Sequence, residues 1–484
     1  MIINLIFIIL LVSLISIFFI NSNNKKLLSL VSLLSSGIVL FLSCLILIFF
    51  DVSITDFQFT SDFNILNFNI LNLKFVFGLD GISILFYFLT SFLSFLCVLF
   101  IQKDNLLKEY LIALFTIQLI LLIIFSVLDL FLFYIFFEAI LLPMYFLIGL
   151  WGSRERKIRA AYLLFFYTVC GSILLLISIL YIYSITGTFC FEYLSKIKIY
   201  FSSTEERLLW LGFFISFSSK IPMFPFHIWL PEAHVEASTT GSVLLAGILL
   251  KLGVYGFIRY SLVLFPEASE FFTPLIYTLS LIGVIFASFN AIRQTDLKRI
   301  VAYSSIAHMN LVVMGLFSFD LIGLQGAILQ SISHGFVAGS LFFLIGMLYN
   351  RYHNRILHYY GGLTTVMPLY AGFFLIFTMA NIALPGTSSF IGEFLILLGI
   401  YSDNIFVSIL STLSVIFSGA YSLWLYNRIM FGNLQSDFTL KFKDLNEQEF
   451  MILLPMCLFV LFIGVCPMYF LKFLNFSTLL YFDI

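Results

Sequence analysis

The run Ile2-Ile-Asn-Leu-Ile-Phe-Ile-Ile-Leu-Leu-Val-Ser-Leu-Ile-Ser-Ile-Phe-Phe-Ile20 decides the fold class, because it carries no charge and only Asn4, Ser13 and Ser16 as polar residues. A helix rising about 1.5 Å per residue crosses the roughly 30 Å hydrocarbon core of a bilayer in about 20 residues. The run is therefore expected to be a membrane-spanning helix. A window of about 19 residues moved outward from it finds the same pattern about 14 times. The next spans are expected at Leu27–Phe50, Ser83–Ile101, Tyr110–Leu128, Leu130–Trp151 and Ile158–Ser184. They are followed by Leu208–His227, Thr239–Leu262, Phe271–Ile292, Ile300–Phe317 and Leu321–Tyr349. The last are Val366–Gly399, long enough to be broken inside, Asn404–Met430 and Phe450–Leu471.

Composition agrees. Of 484 residues, 62% are hydrophobic and 10% charged, against roughly 45–50% and about 25% in soluble domains. The chain reads as an all-α polytopic membrane protein. A formal charge of −1 shows no basic excess for nucleic acid. Cys44, Cys97, Cys170, Cys190, Cys457 and Cys466 form no Cys-x-x-Cys pair, so neither a zinc site, an iron–sulfur cluster nor a disulfide framework is expected. There is no glycine-rich nucleotide loop. The first span begins almost at Met1, so no cleavable leader is expected. The excess of Phe (62 residues) suggests T-rich codons and an AT-rich, organelle-like genome.

Lys and Arg fall unevenly between the two sets of loops. Loops after odd-numbered spans hold, among others, Lys103, Arg154, Arg156, Lys157, Arg159, Arg351, Arg355, Arg428 and Lys441, whereas the opposite loops hold only a few, such as Lys74 and Lys198. Because basic loops stay on the inner side, both termini are expected on the outer side.

An ionisable group at the bilayer centre costs about 2.5–3.5 kcal/mol even on lenient scales. Glu138, Lys220, Lys251 and Glu393 are placed that deep, with His308 and His334 beside them in the sequence pattern. Interhelical hydrogen bonding or snorkelling would be the structural explanation. Six such groups on separate spans at similar depth point instead to a proton or ion path. A haem held by His308 and His334 is the weaker reading, since Lys and Glu lie at the same depth. The cluster His227, Glu232, His234 and Glu236 matches no metal-ligand spacing and is expected at a mouth or partner contact.

Two spans carry breaks beside these charges. Lys220 is followed by Pro222 and Pro225, and Pro385-Gly386 precedes Glu393. Such breaks survive in a membrane only where they are buried in protein or line a wet cavity. Paired interruptions suggest a transport site between inverted repeats. The expected plan is three N-terminal spans (1–108), a five-helix repeat (109–262), an inverted second copy (271–430), and a C-terminal helix and tail (431–484).

The run Lys220-Ile-Pro-Met-Phe-Pro-Phe-His-Ile-Trp-Leu-Pro-Glu-Ala-His-Val-Glu-Ala237 closely resembles the antiporter-like membrane-arm subunits of respiratory complex I, the NADH:ubiquinone oxidoreductase. So do Gly247-Ile-Leu-Leu-Lys-Leu-Gly253, Ala302-Tyr-Ser-Ser-Ile-Ala-His-Met-Asn310 and Leu384-Pro-Gly-Thr-Ser-Ser-Phe-Ile-Gly-Glu-Phe394. Ser238 departs from the family, which usually has proline there; the change is expected to soften the turn into span eight.

The resemblance implies a proton-translocating subunit that binds no cofactor itself. NADH, flavin, iron–sulfur clusters and ubiquinone would sit in partner subunits. The partners would be other membrane-arm subunits, including neighbouring antiporter-like ones, and the lipid bilayer. The resemblance also implies roles: Glu138 as partner of Lys220, Lys251 as central relay, His308 and His334 along the axis, and Glu393 as terminal carrier. The location implied is the mitochondrial inner membrane, with termini in the intermembrane space. The phrase Tyr421-Ser-Leu-Trp-Leu-Tyr-Asn-Arg428 also resembles the family and reads mainly as packing. A subunit of a multi-subunit sodium/proton antiporter, or a purely structural component, would share the same helix plan.

Overall fold

The computed structural model describes residues 2–68, 73–101, 106–196, 201–434 and 443–479. Lys103, Lys198 and Lys441 of the loop-charge comparison lie outside them. Among the described residues, 12 helices are long and apolar enough to cross a membrane. Each falls on one of the expected spans. The two spans left over are the seventh and the twelfth, the pair in which proline was expected to interrupt.

The seventh follows helix Ser203–Lys220, which stops at the lysine. Pro222 and Pro225 lie in the turns that follow, and a short helix, Trp229–Glu236, resumes the chain. The twelfth is two helices, Pro368–Asn381 and Ser388–Asp403. Pro385 and Gly386 lie in the turn between them. Gly386 takes φ +94°, a left-handed conformation that glycine adopts without Cβ strain. Gly464, on helix Glu447–Val465, approaches this turn so closely that a Cβ would lie 2.3 Å from the Gly386 carbonyl oxygen. The break is thus held by a backbone contact only glycine allows.

Helix starts are set by Asx side chains where the chain leaves a loop. Asp80, Asp129, Asp296, Asp320 and Asn404 each accept backbone N–H groups of the helix that follows. This satisfies donors that have no intrahelical partner and places negative charge at the positive helix end. Several of the chain's few acids are accounted for in this way. Ser238 does the same for Thr239–Leu244, accepting from the Gly241 N–H at 3.3 Å. The residue expected to soften this turn instead caps a helix.

The chain divides into two compact units. The first comprises Met1–Lys220, Tyr255–Phe271 and Lys472–Ile484. It includes an antiparallel hairpin, Gln58–Phe68 with Leu73–Leu79, that hydropathy does not reveal. Its buried ion pair joins Arg259 Nη1 to Asp80 Oδ2 at 2.9 Å, with Phe57, Phe191 and Tyr255 rings around the guanidinium. The second unit comprises Ile221–Val254 and Phe272–Leu471. Its longest helix, Leu321–Tyr352, is buried for most of its length. Arg351, in its last turn, bonds Glu449 and the backbone carbonyls of Lys443 and Asp444. The Asp444 carboxylate in turn accepts the Leu369 and Tyr370 N–H groups at 3.0 and 3.1 Å, so it caps Pro368–Asn381 from a distant part of the chain.

Candidate proton path

In the first unit, span five is parted at Ile140 into Leu130–Ala139 and Leu141–Trp151. Pro143, whose significance was not read from the sequence, lacks the N–H that would bond Ala139 and crowds the preceding turn. Nearby, the Phe137 carbonyl accepts a hydrogen bond from Lys220 Nζ. The ammonium also lies 3.2 Å from the centroid of the Phe137 ring, an arrangement in which the ring face attracts the cation. Glu138, the next residue, interacts electrostatically with Lys220. Its Oε1 is buried and has no hydrogen-bond partner among the described residues. The ion pairs within 4.0 Å do not include Lys220 with Glu138. The expected partners share a neighbourhood, with a carbonyl and a ring as the lysine's direct contacts.

In the second unit, four expected residues line up. Lys251 Nζ lies 2.9 Å from His334 Nδ1 and also donates to the Ala246 carbonyl. That carbonyl belongs to a π-helical turn, Leu245–Leu249, whose wider winding leaves backbone acceptors to side chains. No hydropathy pattern signals such a turn. At the other end, His308 Nδ1 lies 3.0 Å from Glu393 Oε1. The two imidazole rings are 5.8 Å apart, centre to centre. Nε2 of each ring is buried and without a hydrogen-bond partner among the described residues. Lys251, His334, His308 and Glu393 are all buried.

Gln330 completes this group and was missed in the sequence. Its Nε2 donates to Glu393 Oε1 at 3.0 Å, and Ser333 donates to its Oε1 at 2.9 Å. The signal was present: a glutamine four residues before His334 on an apolar span shares its helix face.

The tautomers follow from these bonds. When Lys251 is charged it donates to His334 Nδ1, which places that ring's proton on Nε2. A neutral His308 that donates from Nδ1 to the Glu393 carboxylate keeps its Nε2 as an acceptor. One ring therefore offers a proton on its unpartnered nitrogen and the other can take one. Charged Lys251 and doubly protonated His334 cannot coexist at 2.9 Å without repulsion, so the pair holds one transferable proton.

The cluster expected at a mouth is placed differently. His234 is fully buried and stacks on Phe342, with ring centres 4.7 Å apart, and Glu236 is buried as well. His227 stacks with Phe224 at 5.6 Å. Only Glu232 is partly open, paired with Arg299 at 2.7 Å. The short helix Trp229–Glu236 turns His234 and Glu236 inward, away from any mouth, and leaves Glu232 at the surface. Lys298 Nζ and Arg355 Nη1 bond the Ala237 and Val235 carbonyls at its C-terminal end, where cations complement the helix dipole.

The described residues contain no group of three or more His, Cys, Asp or Glu arranged to hold a metal ion. Residues 127–419 match the family described as "NADH:quinone oxidoreductase/Mrp antiporter, TM". The chain is 51% identical to NADH-ubiquinone oxidoreductase chain 4 of Marchantia polymorpha over 89% of this chain and 86% of that one. It is 49% identical to the chain 4 protein of Chondrus crispus, over 92% of each. Its fold matches a chain in the structure of respiratory complex I from Thermus thermophilus with bound NADH, with TM-score 0.89, 28% identity and 99% of both chains covered. The chain is a multi-pass membrane protein and belongs to the NADH:quinone oxidoreductase/Mrp antiporter transmembrane family, in its NADH-ubiquinone oxidoreductase chain 4 branch.

Proposed function

We propose that this chain is a proton-translocating core subunit in the membrane arm of an NADH:ubiquinone oxidoreductase, and that its buried Glu, Lys and His residues carry the protons. The observation that carries the reading is the line Lys251–His334, His308–Glu393, with contacts of 2.9 and 3.0 Å and complementary tautomers.

The transfers balance without any group beyond those named. Lys251 passes a proton to His334 Nδ1, and the imidazolium gives up its Nε2 proton. His308 takes a proton at Nε2 and passes its Nδ1 proton to Glu393, which becomes neutral. Each ring then holds its proton on the other nitrogen and must turn or run in reverse to reset. Glu138 and Lys220 form a second station. There, movement of the carboxylate's charge alters how firmly the lysine holds its proton, since a nearby carboxylate favours the charged form. The driving energy comes from quinone reduction in partner subunits, which would hold NADH, flavin, iron–sulfur clusters and ubiquinone. Neighbouring antiporter-like subunits and lipid would surround the chain.

The same reading places the protein in the mitochondrial inner membrane with both termini on the intermembrane-space side, and treats 109–262 and 271–430 as inverted copies. Native membranes solubilised gently and separated on a native gel test it. The chain is expected in the large band that stains for NADH dehydrogenase activity. Appearance only in a smaller, NADH-inactive complex that exchanges sodium for protons would favour the antiporter reading. In vesicles holding the intact complex, Glu393→Gln is expected to lower the proton-to-electron ratio. An unchanged ratio would make that carboxylate structural.

A further inference from the structure

Helix Leu413–Met430 presents two different faces. Tyr421 and Leu425 are buried, as packing requires, whereas Thr412, Ile416, Ala420, Leu423 and Asn427 are all exposed. Their spacing of four, four, three and four residues puts them on one helix face. Ile416 is 64% and Leu423 47% exposed, so the stripe is apolar along its length and polar at its end.

That end opens into a cavity of about 450 Å³ within the second unit. The cavity is lined by His358 and Tyr360 from the loop after the eleventh span, and by Asn427, Arg428 and Asn433 from the end of the thirteenth. No acid lines it. Arg428 has no ion-pair partner among the described residues. Gly432, at φ +94°, turns the backbone around its rim. Thr364 and Gly362 fix the wall by bonding the Met430 and Phe431 carbonyls at 3.0 and 3.1 Å. Both contributing loops belong to the basic set, which the positive-inside rule assigns to the inner leaflet, where anionic lipids collect.

A basic pocket at the end of an exposed apolar helix stripe has the chemistry of a phospholipid site. From this juxtaposition we infer that the cavity binds the phosphate headgroup of an anionic phospholipid. Arg428 pairs with the phosphate, the Asn427 and Asn433 amides and His358 bond its remaining oxygens, and the acyl chains lie along Leu423 and Ile416. A guanidinium suits phosphate because its fork of N–H groups matches two oxygens.

The test uses the intact detergent-solubilised complex and phosphatidylglycerol carrying a photoreactive acyl chain, with labelled peptides identified by mass spectrometry. Labelling is expected within Thr412–Asn433, displaced by unlabelled phosphatidylglycerol and not by phosphatidylcholine. Arg428→Gln should reduce it about five-fold, the effect of one basic residue near a membrane surface. Arg428→Lys, which keeps the charge and loses the fork, should fall between wild type and the glutamine variant, and a native gel of each variant separates lost binding from lost assembly. Equal displacement by phosphatidylcholine would overturn the headgroup assignment. Displacement by millimolar inorganic phosphate would make the site one for free anion. Absence of lipid labelling, with crosslinks from this helix to a neighbouring subunit, would mean protein covers the face.

Discussion

Two buried lysines, one in each unit, are held in unlike ways. Lys220 closes on groups that do not titrate, the Phe137 carbonyl and ring, with the Glu138 carboxylate acting on it through space. Lys251 touches an imidazole, and beyond His334 come another imidazole and a carboxylate. A lysine surrounded by fixed dipoles keeps its proton until a charge beside it changes. A lysine bonded to a titratable ring has a place to send it. The first arrangement suits a switch and the second a relay, although both begin with an ammonium too deep to reach water.

The largest effect is expected where the relay is cut. Lys251→Met keeps the length of the side chain but removes the donor to His334, and should slow proton movement through this chain tenfold or more. The measurement is NADH-driven proton uptake by vesicles holding the assembled complex. A loss below twofold would erase the distinction between the two lysines. Next comes Glu138→Gln, which preserves shape while removing charge. Pumping should fall several-fold with assembly intact, and Glu138→Asp should restore most of it. If the glutamine variant pumps normally, Lys220 needs no carboxylate and the switch reading fails.

A third variant asks whether buried charge can be purely structural. Asp80→Asn removes the charge that the buried Arg259 guanidinium pairs with, at a cost of about 3–5 kcal/mol. The expected outcome is less assembled complex on a native gel, with unchanged pumping per assembled complex. A pumping defect out of proportion to assembly would move Asp80 and Arg259 into the working machinery. The smallest effect is expected from Asp444→Ala. It removes the carboxylate that caps Pro368–Asn381 and should cost about 1 kcal/mol, seen as a small drop in the thermal midpoint of the complex.

Much of this protein is legible in its sequence because the bilayer is a severe solvent. Backbone groups there must bond internally and charges must be rare. Apolar runs therefore reveal the helices, and the exceptions to apolarity reveal Glu138, Lys220, Lys251, His308, His334 and Glu393. Prolines at 222, 225 and 385 mark two of the interrupted spans for the same reason, whereas the interruption of span five beside Pro143 goes unread. The legible part ends where the signal is neither charge nor hydropathy. Gln330 is neutral, the π turn Leu245–Leu249 is as apolar as any helix, and the paired strands Gln58–Phe68 and Leu73–Leu79 give no membrane signal.

The sequence by itself determined that the chain spans a membrane, where two of its spans are broken and which ionisable groups are buried, since each follows from the cost of polarity in hydrocarbon. Only the tertiary structure decided which of those groups touch. It set His334 against Lys251 and His308 against Glu393, turned His234 and Glu236 inward, and gave Lys220 a carbonyl and a ring as its direct contacts. Contact depends on helix rotation and local winding, to within an ångström, and that is settled by packing among residues whose hydropathies are nearly alike.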